Sequence, residues 1–151
     1  MPADNLTPTE VFHRLVQGVS DKRWDELPAL YAQDTLVEHP FDPRRAAPLR
    51  GRSQLAEHFR AAAQGGATGV DFQPRNVVVH QTTDPEVVIG EFEYHGTARH
   101  GAEPLSVRNI FVLRVRDGQI VSSRDYADHL GFARARGDLG ALFAELAGRG
   151  A

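Results

Sequence analysis

Helix signals fill the first 63 residues and strand signals dominate the residues that follow, an order that predicts an α+β domain. The strand half contains two pairs of long segments joined around short turn sequences, so its sheet is expected to be antiparallel. Three helices can cover only one face of a sheet of four to six strands. Closed over a strongly curved sheet, they give a cone-shaped barrel with a deep apolar pocket suited to a small molecule. The other sheet face then needs a cover, and a second copy of the chain, in a homodimer, is the simplest one.

The elements follow in chain order. Residues 7–10, "TPTE", form a capping box with Pro8 at the first helical position. Val11, Phe12, Leu15, Val16 and Val19 continue it at helical spacing, so the first helix is expected over 8–20. Trp24, Leu27, Leu30 and Tyr31 share one face of a second, short helix, which Pro28 bends or confines to a turn or two. "TLVEH" predicts a short strand, and "PFDPRRAAPLRG" the loop that ends it. Ser53 is the expected cap of a third helix reaching Ala63, with Leu55, His58, Phe59 and Ala62 along one stripe. "GGATG" breaks the helical pattern. "RNVVVHQ" and "EVVIGEFEYHGT" then flank the turn "TTDP", and "LSVRNIFVLRV" and "QIVSSRDYA" flank "RDG". Asp138 is placed to cap a last amphipathic helix that Gly148 stops. Residues 1–6 read as a disordered lead-in to one domain spanning 1–151, since no repeat or linker divides the chain.

Composition narrows the function classes. With 17 basic and 20 acidic residues, no Lys/Arg run and no basic stripe interleaved with aromatics, nucleic acid is not an expected partner. The absence of cysteine excludes disulfides, thiolate nucleophiles and cysteine-based metal sites. The start "MPADNLTPTE" has neither a basic leader nor an apolar core, and no apolar run approaches a membrane span. The expected location is therefore cytoplasmic, away from membranes. The seven histidines (13, 39, 58, 80, 95, 100 and 129) form no HxH, no i,i+4 pair and no HExxH, so neither a metal nor another cofactor is expected.

"YAQDTLVEHPFDP", "LRGRSQLAEHFRAA" and "VLRVRDGQIVSSRDYADHLGF" resemble SnoaL-like members of the nuclear transport factor 2-like superfamily over nearly the whole chain. "NVVVHQTTDPEVVIGEFEYHG" and "SRDYADHLGFARARG" are similar, more narrowly, to the phenazine-biosynthesis PhzA/PhzB-like branch. The superfamily resemblance implies a conical fold, usually dimeric, with a deep pocket and generally no metal. Its members include cyclases, isomerases, hydrolases, condensing enzymes and binding proteins, so the fold leaves the activity open.

Three side chains are the catalytic candidates. Strand alternation places Val121, Ser123, Asp125 and Ala127 on one face and Ile120, Ser122, Arg124 and Tyr126 on the other. A lone carboxylate among small and apolar neighbours is desolvated, which raises its pKa toward useful values. The alternative for Asp125 is a surface ion pair with Arg124 or Arg108. The PhzA/PhzB-like resemblance implies an acid/base role there, where that branch has a glutamate. His58 interrupts the apolar stripe between Leu55 and Phe59 and so faces the core or a cavity; the resemblance makes it the branch's second pocket residue. His39 stands where ketosteroid isomerase, of the same superfamily, has its catalytic aspartate. It is either a base that needs no pKa shift or a strand-end ring bonded to the loop. Leu15 and Phe111 align with that isomerase's two oxyanion donors, and neither can donate a hydrogen bond, which argues against steroid isomerisation.

Trp24, Tyr31, Phe41, Phe59, Asn109, Phe111 and Ser123 are the candidate ligand wall, in a fold where core and wall are one surface. Either Glu91 and Glu93 or Phe92 and Tyr94 face the pocket, and alternation does not choose between the pairs. The expected function is cofactor-independent acid/base chemistry on a small carbonyl or imine compound: cyclisation, isomerisation, condensation or dehydration. The alternative is a non-catalytic binder of a small apolar ligand.

Overall fold

Thr7 and Glu10 exchange the two bonds of the capping box, and helix α1 (Pro8–Ser20) starts there. The computed structural model describes residues 5–66, 70–98 and 104–150, so residues 1–4 of the expected lead-in, His100 and the end of "GGATG" lie outside the described residues. Leu6 already packs against the core. Pro28 confines the second helix to a 3₁₀ turn, Leu27–Leu30, and Tyr31 opens strand β1 (Tyr31–Glu38), which begins four residues ahead of the expected "TLVEH". A short β2 (Leu49–Arg50) pairs with β1. Helix α2 (Gly51–Ala61) then begins two residues before Ser53, which is therefore not its cap. The backbone N–H of Arg50 donates to Gln54 Oε1 (2.8 Å), and Gly51 takes φ +83° to turn the chain from strand into helix.

Strands β3 (Val70–Gln81), β4 (Val87–Ala98), β5 (Pro104–Arg116) and β6 (Gln119–Ala127) form successive antiparallel hairpins. Asp117 and Gly118 both take positive φ, as a tight two-residue turn that matches strand twist requires. The sheet order is β2-β1-β6-β5-β4-β3. It departs from the expected fully antiparallel arrangement at one seam, where β1 runs parallel to β6. No hairpin dictates that direction, because β1 reaches the rest of the sheet through α2. The helical cover is also divided between the chain ends. Besides the N-terminal elements there are α3 (His129–Arg136) and α4 (Leu139–Arg149), and α3 was not anticipated. Asp128 starts α3 by accepting from the Gly131 N–H (2.9 Å). Asp138 sits at the start of α4 but makes no capping bond, and Gly148 lies within the helix, which runs on to Arg149.

The core lies between α1 and the sheet, where Val11, Phe12, Leu15 and Val16 meet Phe92, Tyr94, Val107 and Leu113. Phe92 and Tyr94 therefore take the inner face, and Glu91 and Glu93 the outer one. Ile120 is fully buried, although simple alternation puts it opposite Asp125; the β5–β6 register shifts beside Val115 and brings both inward. Phe12 fits over β4 because Gly90 has no side chain: a Cβ there would lie 2.0 Å from the Phe12 ring. Gly90→Ala should therefore cost about 1–3 kcal/mol of stability as α1 is pushed off the sheet. Phe12→Leu, which removes the clashing ring, should recover part of that loss. Urea unfolding of the two single variants and the double variant checks the coupling.

Candidate active site

Between α1, α2, α3 and the inner face of the sheet lies a cavity of about 330 Å³. Its wall is mainly apolar and includes Leu15, Trp24, Tyr31, Val37, Leu55, Phe59, Phe111 and Phe132. The Trp24 and Phe59 rings stack at 6.3 Å, and Tyr31 packs on Phe59 at 6.1 Å. Among the ionisable groups in this wall are one carboxyl, Asp125, and three imidazoles, those of His39, His58 and His129.

Asp125 is 8% exposed. The Ser123 hydroxyl, two residues back on the same strand face, donates to Asp125 Oδ1. His39, at the end of β1, brings Nε2 to 3.7 Å from Asp125 Oδ2. The parallel β1–β6 seam makes this contact possible, since it aligns Glu38 with Arg124 and so carries the two strand ends out of the sheet together. His58 comes from α2, with its ring 6.0 Å from that of His39. Of the described histidines, His39 and not His58 lies within 4 Å of the carboxylate. Among the described residues no arginine reaches Asp125: Arg124 is exposed on the opposite face and Arg108 pairs with Glu93 at 3.3 Å.

Four of the expected wall residues, Trp24, Tyr31, Phe59 and Phe111, line the cavity. Three do not. Phe41 is 69% exposed and packs on Tyr126 at the outer side, because the loop after β1 turns away from the cavity. Ser123 is buried beneath Asp125 and reaches the cavity only through it. Asn109 is buried within β5, where its Nδ2 makes a long 3.4 Å bond to the Val107 carbonyl and its Oδ1 has no partner among the described residues. The cavity also has wall residues that alternation and stripe patterns missed: His129, Arg44 and Arg136. Arg44 is held by Glu145 (2.9 Å) and Arg136 by Asp138 (3.2 Å). The one early sign of His129 was its place behind Asp128, a good helix-capping residue.

Burial sets the charges. It pushes the Asp125 carboxyl up to about 7, against the Ser123 hydrogen bond, which favours the ionised form. Burial, then the neighbouring His58 and His129, bring His39 down to about 4. His58 and His129 are also lowered, chiefly by burial. Burial and the nearby Asp125 push the Tyr31 phenol upward. Near neutral pH His39 is therefore neutral, while Asp125 passes between its protonated and ionised forms. Among the described residues no three His, Asp or Glu side chains converge to hold a metal ion.

A SnoaL-like domain matches residues 12–123. The chain belongs to the SnoaL-like family. An uncharacterised PhzA/B-like protein of Pseudomonas aeruginosa is 29% identical over 125 residues, covering 82% of this chain and 84% of that one. A Bacillus subtilis protein provisionally named an isomerase has a crystal structure that superposes with a TM-score of 0.75 at 21% identity, covering 87% of this chain and 93% of its own. A phenazine biosynthesis-related protein of Pseudomonas aeruginosa superposes with a TM-score of 0.61 at 18% identity, over 86% and 89% of the two chains. The SnoaL-like fold is thus the nuclear transport factor 2-like one that the sequence resemblance implied.

Asp125 and His39 make opposite contributions to the pH dependence of stability. Between the ordinary carboxyl value of 3.8 and about 7, folded Asp125 keeps a proton that the unfolded chain has lost, so its contribution falls as pH rises. Between about 4 and 6.5, unfolded His39 is protonated and folded His39 is not, so its contribution rises with pH. Asp125→Asn removes the first trend and leaves the second. The variant's stability should climb more steeply than that of the wild type from pH 4 to 6.5, by on the order of 1–3 kcal/mol. Denaturant titrations at stepped pH measure the difference, and parallel curves would contradict the assigned burial effect.

Proposed function

We propose that this SnoaL-like protein is a small-molecule enzyme that moves protons on a carbonyl or imine compound without a cofactor, in a cyclisation, isomerisation, condensation or dehydration. The observation that carries the reading is a desolvated carboxyl 3.7 Å from a neutral imidazole inside an apolar-walled cavity. A carboxyl near 7 is matched to proton transfer at neutral pH, because its two forms coexist there. Asp125 is the acid/base. His39 supports it directly, and His58, its ring 6.0 Å from that of His39, supports it through His39. The stacked rings of Trp24 and Phe59, with Tyr31 tilted against Phe59, hold the flat, apolar part of the substrate.

The test is deuterium exchange into the position next to the carbonyl of small cyclic ketones, followed by NMR. Exchange catalysed by Asp125 as base should rise with pH and level off above about 7. Asp125→Asn should lower it by roughly 10²–10⁴-fold with little change in ligand affinity. Ligand binding without catalysed exchange in the wild type would instead support a binding protein for small apolar molecules, a reading favoured by the aromatic wall.

The same reading includes a homodimer. The outer sheet face and its rim expose Val78 (49%), Ile110 (41%), Leu130 (46%) and Phe41 (69%), and such a patch is costly in water. Ile120, expected on that face, is instead in the core. Light scattering at micromolar concentration should give about 33 kDa, twice the 16.6 kDa chain. A value of one chain mass would refute the dimer.

A further inference from the structure

Arg44 and Arg136 reach the cavity wall from two sides, the loop after β1 and the last turn of α3. In each, Nε donates to a carboxylate of the protein, Arg44 to Glu145 (2.9 Å) and Arg136 to Asp138 (3.2 Å). Neither side chain makes a further hydrogen bond among the described residues. The two terminal amino groups of each, the edge that fits a carboxylate end-on, are therefore left over. Both side chains are within reach of a ligand, with 41% and 31% of their surface exposed. Arg149 also draws on Glu145 (2.8 Å), so in this set three guanidiniums share two carboxylates and one positive charge is unmatched.

The rest of the wall makes that charge conspicuous. Burial holds its three imidazoles toward the neutral form and keeps its one carboxyl, Asp125, protonated below about 7. Arg44 and Arg136 are then the fixed charges of an otherwise apolar wall. The carboxylates of Asp42 and Asp128 are close by but do not line the cavity; they accept from the backbone N–H groups of Arg44, Ala46 and Gly131. A cation beside an apolar space attracts an opposite charge more strongly than one in open water does. Resting on the reading of this cavity as the reaction site, we infer that Arg44 and Arg136 hold the carboxylate of the substrate, which is therefore a monocarboxylic acid with a flat, apolar body. Guanidiniums that are already paired leave too little charge for a phosphate dianion. The stacked Trp24 and Phe59 rings supply the surface for the flat body. Both arginines act on the charge of His129, whose ring is 6.1 Å from that of His39, and His39 in turn lies beside Asp125. The anchored carboxylate thus sits on the His129 side of the cavity, and Asp125 is left for the reacting part of the molecule.

The probes are 2-naphthoate, its neutral amide 2-naphthamide, and 2-naphthyl phosphate, each titrated by calorimetry at pH 6, where Asp125 is mainly protonated. The wild type should bind the naphthoate about tenfold more tightly than the amide, and the preference should shrink in about 0.5 M salt. Arg44→Gln and Arg136→Gln should each weaken naphthoate binding by about three- to tenfold and leave the amide within about twofold. Glu145→Gln separates anchoring from a purely structural role. It breaks the same ion pair as Arg44→Gln but frees the guanidinium, so naphthoate affinity should hold or rise. If Glu145→Gln and Arg44→Gln instead lower naphthoate and amide binding alike, Arg44 only ties the loop to α4 and the anchor is refuted. Equal affinity of the wild type for naphthoate and amide, or binding of neither at millimolar concentration, refutes the carboxylate assignment. Tighter binding of the phosphate refutes the monoanion. Asp125-dependent exchange on the ketones is measured separately, and its absence beside intact naphthoate selectivity would sink the proton-transfer reading alone.

Discussion

The bend of the six-stranded sheet depends on irregularities built into three of its strands. A regular strand presents alternate residues to one face along its whole length. Here the register shifts in β1 between Tyr31 and Leu36, in β3 between Arg75 and Val78, and near the β5–β6 turn. Asn76 takes φ +54° at the β3 shift, and the extra residue lets Phe72 before it and Val79 after it both turn toward the core. Beside the β6 shift, Ile120 seals the narrow end of the core while Ser123 and Asp125 line up behind it. Without those added residues, one end of each strand would face its apolar side to water.

Curvature then determines the chemistry. A flat sheet under α1 would pack side chain against side chain and leave no interior space. The bent one wraps the helices loosely enough at the open end to hold a cavity of about 330 Å³. Small residues set the depth of contact at the closed end, where Phe12 descends into the gap above Gly90. At the open end the polar groups gather: Asp125 leaving β6, His39 leaving β1 and His129 opening α3. His39 and His129 come from element ends, where the backbone is no longer committed to ladder bonds, whereas Asp125 is still paired with Phe111 near the end of β6. Burial in an apolar wall, helped at His39 by the neighbouring His58 and His129, keeps the imidazoles neutral, and burial keeps the carboxyl protonated to unusually high pH.

Much of this was legible from residue patterns because it depends on local rules. The capping box at Thr7 and Glu10 fixed α1 to the residue, and the Asp117–Gly118 turn located the last hairpin. Asp125 was found inward because alternation holds across the five residues from Ser123 to Ala127. The same alternation misplaced Ile120, since a bulge changes the phase without leaving a compositional mark. Alternation also could not choose between Glu91–Glu93 and Phe92–Tyr94, a choice made by α1 packing on one side of β4. Phe41 was misassigned for a related reason: an aromatic side chain in a loop is as compatible with a pocket wall as with an outer rim. Helix α3 escaped notice because eight residues with weak amphipathicity offer little periodic signal.

The C-terminal segment, the unexpected α3 with the expected last helix behind it, is the part that closes the site. Phe132, Ala135 and Arg136 extend the cavity wall along successive turns of α3, and Leu142 anchors α4 in a buried position. From α4, Glu145 pairs with Arg44, and Arg149 donates to the Arg44 carbonyl at 2.9 Å. The loop that follows His39 is therefore tied to the last helix as well as to the sheet, where Phe41 packs on Tyr126. Exposed ion pairs of this kind contribute little to global stability individually. Their consequence is positional: the loop and α3 approach the cavity from different directions, and both end at the His39–His129 contact. The distance between those two rings thus depends on how the C-terminal helices dock, which couples the chain's last elements to the spacing of groups around the Asp125 carboxyl.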